Sequence, residues 1–389
     1  MIDFELPEAV GLVCENISRF VDERLLPLEQ EVGFEDEEIP HERRIELRTE
    51  LRDLGLLDLQ RQEEDGGGGF GQRDMVAVAE EQGRAVIGAD MWGAWRFPAL
   101  LNRLPEESRK HYEELHEHDQ LSGCLCLTEA SSGSDPASMQ TYFTRDGDSY
   151  VINGHKMFIT GGQNADYATV YAREKGTTGR EGINAFLVET SNPGFNVLRV
   201  IPTMGHPNSV ATGAAEIVFE DMVVPAYARL SDEGGGWGMA QGTVGGVRFR
   251  MGARAVALAK RSLDMAVQYS KGRITFGEPL SERQGLQFMM ADSYIAIQAT
   301  RLLTQHGAWK LDKGMDARQE ISVVKIQATE MLANVVDRAI QIHGGVGVTE
   351  DLPLERIFRN ARIDRIVDGP NEIHRWVIAR NLLRDRVVI

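Results

Sequence analysis

The sequence predicts an α+β protein of three domains: an N-terminal helical bundle over residues 1–118, a middle antiparallel β-barrel or sandwich over 119–228, and a C-terminal four-helix bundle over 229–389. Three observations carry this. Residues before about 118 read as helix. Between about 119 and 228, short β-rich runs take over, punctuated by Gly, Asn and Pro. From about 235, apolar residues again recur at steps of three and four. A chain of 389 residues, 42% hydrophobic, is long enough to bury more than one core.

In the first segment, Leu51, Leu54, Leu56 and Leu57 form one apolar stretch and Met75 to Val86 another. Gly66 to Gly69 break the chain between them, as a mobile loop or a close approach to a ligand would require. In the middle segment, strands are predicted at Tyr150–Ile152, Ala168–Ala172, Ala185–Val188, Val197–Ile201 and Glu216–Phe219. Asn153-Gly154 predicts a hairpin turn leading to Lys156–Ile159, because both residues tolerate φ > 0. Even spacing of short strands points to a small barrel or sandwich. In the third segment, Phe288, Ala291, Ile295, Ala299 and Leu302 predict one core-facing helix stripe. Ile321, Val324, Ala328, Met331, Val335, Ala339 and Ile342 predict a second.

The formal charge of −17 speaks against nucleic acid or an anionic membrane surface as partner. No apolar run approaches the ~18 residues of a membrane span. Met1-Ile2-Asp3-Phe4-Glu5 does not read as a signal peptide. Cys14, Cys124 and Cys126 are too few for a disulfide framework or a zinc site, so a reducing, cytoplasmic setting is expected. His111, His116 and His118 cluster in a Glu-rich stretch without a ligand set of known spacing, and read as a solvated helix end; no metal is expected. There is no P-loop and no Gly-x-Gly-x-x-Gly between a strand and a helix, which speaks against a Rossmann cofactor site.

The most informative stretch is Asp368-Gly369-Pro370-Asn371-Glu372-Ile373-His374-Arg375, at the end of a helical pattern. It places one carboxylate in a turn, with Ile363, Ile366 and Val367 expected to wall it with apolar groups. Such a carboxylate is either a helix-capping turn or a positioned base with a raised pKa. Trp92, Trp95 and Phe97 either shape a pocket or belong to the core.

Four separate segments decide the matter. Leu127-Thr128-Glu129-Ala130-Ser131-Ser132-Gly133-Ser134-Asp135 is followed by Lys156-Met157-Phe158-Ile159-Thr160-Gly161-Gly162. Arg273-Ile274-Thr275-Phe276-Gly277 precedes Gln284, and Gln341-Ile342-His343-Gly344-Gly345-Val346-Gly347 precedes the Asp368 turn. In this order and at these intervals the chain resembles the acyl-CoA dehydrogenase family over nearly its whole length.

That resemblance implies FAD as cofactor, an acyl-CoA thioester as substrate, an electron-transfer flavoprotein as acceptor, and a homo-oligomer, expected to be a tetramer. It assigns cofactor contacts to Leu127, Thr128, Ser134, Phe158 and Thr160, with the two threonines at the isoalloxazine and Ser134 at the pyrophosphate. Arg273, Thr275, Phe276, Gln284, Gln341, Gly344 and Gly345 would complete the FAD site of a neighbouring subunit. Ser134, Arg248, Asp368 and Gly369 would meet the substrate. Asp368 would take the α proton as a hydride leaves the β carbon. Hydrogen bonds to the thioester oxygen, one of them from the Asp368 backbone N–H, would stabilise the enolate. The chain departs from the family twice. Asp368 stands where Glu is usual, and Pro370 where a Thr commonly donates toward FAD. Three readings compete: an oxidase resembling nitroalkane oxidase with the same Asp as base, a reduced-flavin monooxygenase, and a non-catalytic relative.

Overall fold

The computed structural model describes residues 5–34, 39–92, 103–117, 122–204 and 213–384. The chain divides into two compact units, Met1–Gly93 with Val244–Ile389, and Ala94–Thr243.

The first unit is helical. Helix α1 (Glu8–Phe20) passes through one wide turn, Val21–Leu25, into α2 (Leu26–Val32), which stops where Gly33 takes φ 71°. Helices α3 (His41–Asp53) and α4 (Gln72–Gln82) follow. After the sheet unit come α6 (Gly236–Gly272), α7 (Gln284–Asp312), α8 (Arg318–His343), α9 (Leu354–Asp364) and α10 (Asn371–Leu383). One core holds early and late residues together: Ile17, Leu25, Leu47, Leu51 and Val78 pack with Val256, Met331, Val335 and Ile357. Trp92 is buried there, its ring 5.7 Å from Phe20. Trp95 and Phe97 lie outside the described residues, as does His118.

The stripe on α8 is buried as its spacing predicts, from Ile321 to Ile342. The stripe predicted on α7 is not. Phe288, Ile295 and Leu302 are 60%, 65% and 51% exposed, and the buried line is Ser293, Ile297, Thr300 and Thr304. The reason is local. The Ser293, Thr300 and Thr304 hydroxyls donate to the carbonyls of Met289, Ala296 and Thr300 at 2.7 to 2.8 Å, so small polar side chains enter the core already satisfied. Periodicity found a real stripe but could not tell which face the chain covers.

Ion pairs join the early helices to the late ones. Glu29 on α2 is fully buried, and accepts from Arg261 Nη1 at 3.1 Å, Arg261 Nη2 at 2.6 Å and the Val86 N–H. Glu80 on α4 pairs with Lys260 at 2.9 Å and Arg301 at 2.8 Å. The α4 N-terminus is capped by the Asp312 carboxylate, which accepts from Gln72 N and Arg73 N at 2.6 and 2.8 Å.

The second unit holds helix α5 (Glu106–Glu117) and one seven-stranded sheet in the order β1-β4-β2-β3-β7-β6, with β5 also on β4. Its strands are β1 (Gly123–Cys126), β2 (Tyr142–Asp146), β3 (Ser149–Thr160), β4 (Tyr167–Glu174), β5 (Ile183–Glu189), β6 (Phe195–Ile201) and β7 (Ala214–Pro225). All five predicted runs lie in strands; β1 and β2 carried no run of their own. Four pairings are antiparallel, whereas β1 and β2 lie parallel to β4, so the sheet is mixed. Alternate residues of β4 enter two cores: Ala168, Val170 and Ala172 join Phe143, Tyr150 and Phe186, while Tyr167 and Tyr171 join Leu104, Tyr112 and Leu187.

The Asn153-Gly154 hairpin is a correction. Strand β3 runs straight through these residues, and they form a register irregularity against β7. Asn153 spends its side chain on Asp221, accepting from its N–H at 2.9 Å and donating to its carboxylate at 3.1 Å. Gly154 is required because a Cβ would lie 2.3 Å from Thr141 Oγ1. The hairpin turn falls one strand earlier, at Gly147-Asp148 between the paired Asp146 and Ser149, with Gly147 at φ 58°.

Arg261→Met should strand the Glu29 carboxylate in the core and destabilise the helical unit by about 3–5 kcal/mol, read as a lower urea midpoint. Adding Glu29→Gln should recover most of the loss.

Candidate active site

In the sheet unit, a buried ion pair organises the segment after β1. Lys156 Nζ, fully buried, donates to the Leu127 carbonyl at 3.0 Å and to Glu129 Oε1 at 2.9 Å. The Glu129 carboxylate also accepts from Gln140 N at 2.5 Å and Thr141 N at 3.0 Å. Burial pushes the Glu129 carboxyl up, but Lys156 and the backbone donors outweigh it and hold it below the usual carboxylate range. Burial likewise draws the Lys156 ammonium down, against the pull of Glu129. The Met157 N–H to Thr128 carbonyl bond, 2.9 Å, sets Thr128 beside Phe158. Leu127, Thr128, Phe158 and Thr160 thus share one end of the sheet unit, and Ser134 is exposed on the loop that Glu129 closes.

In the helical unit, α6 ends at Gly272 and Arg273 enters a two-residue hairpin, with Thr275 paired to Glu278. At its tip Phe276 is 101% exposed. Gln284 begins α7 and is exposed. Gln341 lies exposed in the last turn of α8, and Gly344 follows at φ 64°, ψ −137°, with nothing within 4 Å of a Cβ built on Gly344 or Gly345. The backbone there is open to close approach.

Asp368 sits in the turn between α9 and α10, at φ 53°, followed by Gly369 at φ 93°. Asp is among the few L-residues that accept this region readily. The turn is held by its own backbone: Arg248 on α6 donates from Nε at 3.0 Å and Nη2 at 2.6 Å, both to the Asp368 carbonyl. A Cβ on Gly369 would lie 3.2 Å from His374 Nε2 and 3.6 Å from Arg248 Nη2, so the turn passes close over both. The structure therefore brings Arg248, Asp368 and Gly369 together. The apolar wall expected from Ile363, Ile366 and Val367 is a second correction: Ile366 and Val367 are 56% and 40% exposed. Polar side chains support the turn instead.

Sequence reasoning missed those supports. Lys325 on α8, fully buried, donates to Asn371 Oδ1 at 2.9 Å. Asn371 Nδ2 donates to Thr329 Oγ1 and Glu330 Oε1, each at 3.0 Å, and Glu330 also meets Arg365 at 3.1 Å and Arg375 at 3.2 Å. His374 contacts Ser322 Oγ through Nδ1 at 3.1 Å. The available signal was a lysine beside the buried apolar stripe of α8, one residue after Val324. Burial pushes Asp364, the last residue of α9, up to about 6, with Arg254 and Lys325 opposing.

The residues present fit a flavin nucleotide. Phe158 and Phe276 hold φ of 58° and 52°, which bulky residues rarely adopt, and leave their rings exposed. In the sheet unit, Thr128 and Thr160 carry hydroxyls beside Phe158, and Ser134 is exposed; in the helical unit, the Gly344-Gly345 backbone is uncovered. Among the described residues there is no cluster of His, Cys, Asp and Glu that would hold a metal ion, and no helix long and apolar enough to cross a membrane.

Comparison with known proteins adds an independent line. Models of the acyl-CoA dehydrogenase N-terminal, middle and C-terminal domains match residues 8–102, 124–222 and 234–383. Cyclohexane-1-carbonyl-CoA dehydrogenase of Geobacter metallireducens is 33% identical over 387 residues, covering 98% of this chain and 99% of the relative. The butyryl-CoA dehydrogenase structure from Megasphaera elsdenii matches with TM-score 0.86 at 30% identity, over 98% of this chain and 100% of that one. A chain in the structure of the electron transferring flavoprotein of Acidaminococcus fermentans matches with TM-score 0.87 at 33% identity, over 99% and 100%.

His374 supplies a pH test. Burial, then Arg248, pushes its imidazole from 6.5 down to about 4. The unfolded chain takes up this proton below about 6.5, and the folded chain only near 4, so acidification through that window removes up to about 3 kcal/mol of stability. His374→Gln should show a shallower fall in unfolding midpoint between pH 7 and 4.5.

Proposed function

The chain belongs to the acyl-CoA dehydrogenase family of FAD-dependent oxidoreductases, and from that premise we propose that it removes hydrogens from the α and β carbons of an acyl-CoA thioester with Asp368 as the base. The observation that carries this reading is the Arg248 grip on the Asp368 carbonyl. A carboxylate whose own backbone is fixed by a two-point bond to a guanidinium is positioned for work at one place.

The division of labour follows from the side chains. Thr128, Phe158 and Thr160 would hold the flavin ring, and Ser134 its pyrophosphate. FAD, when bound, supplies the acceptor for the hydride that leaves the β carbon. Asp368 takes the α proton onto a carboxylate oxygen, and the C–H electron pair enters the new α,β double bond. Arg248 cannot act as the base, because its guanidinium is already protonated and donates to the turn. Electrons would then pass to an electron-transfer flavoprotein, in keeping with the likeness to a chain in the structure of the electron transferring flavoprotein of Acidaminococcus fermentans.

Asp in place of Glu withdraws the carboxylate by about 1.5 Å. Pro370 has φ −61° and ψ 150°, ordinary values at a helix start, and its carbonyl accepts from Ile373 N at 2.9 Å. Nothing there marks a backbone forced out of line, so the reach is better recovered from a substrate bulky at its reacting carbons. A relative named for a ring-bearing acyl-CoA supports a cyclic or branched acyl group here.

Assembly belongs to the same proposal. Arg273 and Phe276 are exposed on a hairpin, and the uncovered Phe288, Ile295 and Leu302 line of α7 is an apolar face of the kind a second copy covers. A tetramer sharing FAD sites accounts for both.

Two measurements decide the reading. Anaerobic titration with straight, branched and cyclic acyl-CoAs should bleach the flavin and yield a 2-enoyl product. Asp368→Asn should keep FAD yet lose about 100- to 10,000-fold in the bleaching rate. Bleaching by nitroalkanes alone, with oxygen consumed once air is admitted, would make the enzyme an oxidase. Arg273→Ala should lower the FAD retained through gel filtration while its FAD-free form unfolds at the temperature of the FAD-free parent; a fully flavinylated monomer would refute the shared site.

A further inference from the structure

Lys325 on α8 reaches the segment after Asp368 through Asn371. It is fully buried, yet the acceptor recorded for its ammonium among the described residues is a neutral amide oxygen, Asn371 Oδ1 at 2.9 Å. An apolar side chain of similar volume would fill the same space at no desolvation cost, so a buried lysine here is not explained by packing. What surrounds it is charge. Asp364 on α9, Asp368 in the turn and Glu372 on α10 attract it, while Arg248 on α6 repels it. His374 on α10 lies within the same field, and Arg254 on α6 faces Asp364.

Its bond to Asn371 has a mechanical consequence. Asn371 is the first residue of α10 and lies three positions after Asp368. Its N–H donates to the Arg365 carbonyl at 3.1 Å, and its side chain is clamped between Lys325, Thr329 and Glu330. The segment 368–371 is therefore held at both ends: Arg248 grips the carbonyl at its start, and Lys325 grips the amide at its finish. Between them lie only Gly369 and Pro370.

We propose that Lys325 is a positioning residue for the Asp368 base: it fixes the far end of the turn through Asn371 and keeps a positive charge behind the carboxylate. The proposal rests on the reading of Asp368 as the base. The charge favours the ionised carboxylate that proton abstraction needs. Burial pushes the Lys325 ammonium down to about 8, with Asp364 and Asp368 opposing, so it is protonated at neutral pH.

The test is single-turnover flavin reduction in the FAD-loaded protein, followed from pH 5 to 9. The probe is butyryl-CoA or cyclohexane-1-carbonyl-CoA, whichever reduces the parent. Lys325→Met should lower the limiting reduction rate on the order of 10- to 100-fold, with a smaller change in the half-saturating substrate concentration, and should move the acid limb of the profile to higher pH. Lys325→Gln, which keeps a donor toward Asn371 but no charge, should keep more of the rate and still move the limb. Asn371→Leu keeps the charge and loses the link, so it should lower the rate without moving the limb. These two variants stand if Lys325→Met does not fold. Parent rates and an unmoved limb in the Lys325 and Asn371 variants would overturn the proposal. If Asp368→Asn is inactive in that same experiment, the base survives and only the role of Lys325 falls. Asp368→Asn at the parent rate would overturn both.

Discussion

A two-point hydrogen bond from Arg248 to the Asp368 carbonyl is the constraint on which the candidate site depends. A carboxylate on a free turn explores several rotamers and several backbone states, and a base misplaced by about 1 Å loses on the order of 100-fold in rate. Fixing the carbonyl of the same residue removes the backbone share of that freedom without touching the carboxylate oxygens. The left-handed φ of 53° is part of the same solution. It turns the chain sharply between α9 and α10, and a short polar side chain bears it better than a longer one.

The helical unit is built to support that turn. Arg248 lies on α6, Lys325 on α8, and Asn371 and His374 on α10, so three helices must keep register for the turn to keep its shape. The core does this, with apolar residues of α1 to α4 packed against α6 and α8, and with Glu29 and Glu80 paired across to Arg261, Lys260 and Arg301. Buried ion pairs are weak evidence of stability, because desolvation consumes much of the Coulombic gain. They are better evidence of register, since sliding one helix past another would break every pair at once. A comparable device serves the sheet unit, where Lys156 and Glu129 bind the Leu127–Thr128 backbone to β3.

How much of this could be read from the sequence depended on whether the signal was local. Strands β3 to β7 were legible because β-rich runs between Gly and Pro state their own conformation. The α8 stripe was legible because one face of that helix is wholly buried. The α7 stripe carried the same spacing and the opposite meaning: burial there belongs to serine and threonine, whose hydroxyls are answered within the helix. Asn153-Gly154 has the local chemistry of a turn, but Thr141 and Asp221, distant in sequence, use it inside a strand. The motif residues were found by their order along the chain. Lys325 and its bond to Asn371 were not, because a buried polar pair 46 residues apart leaves no local pattern.

The substitution of Asp for Glu takes its meaning from these same constraints. The turn is gripped at Asp368 and again at Asn371, so its backbone cannot advance to compensate for the missing methylene. Gly369 cannot yield either, since it passes close over His374 and Arg248 and holds φ 93°. If Asp368 is the base proposed above, a shorter side chain on a turn held at both ends leaves one variable, the depth at which the reacting carbons sit. In the proposed reaction, a ring or branch at those carbons brings the α proton nearer the turn than a straight chain does. On the proposed reaction, the same hold on the turn that would position Asp368 would also select, through its reach, the class of acyl group.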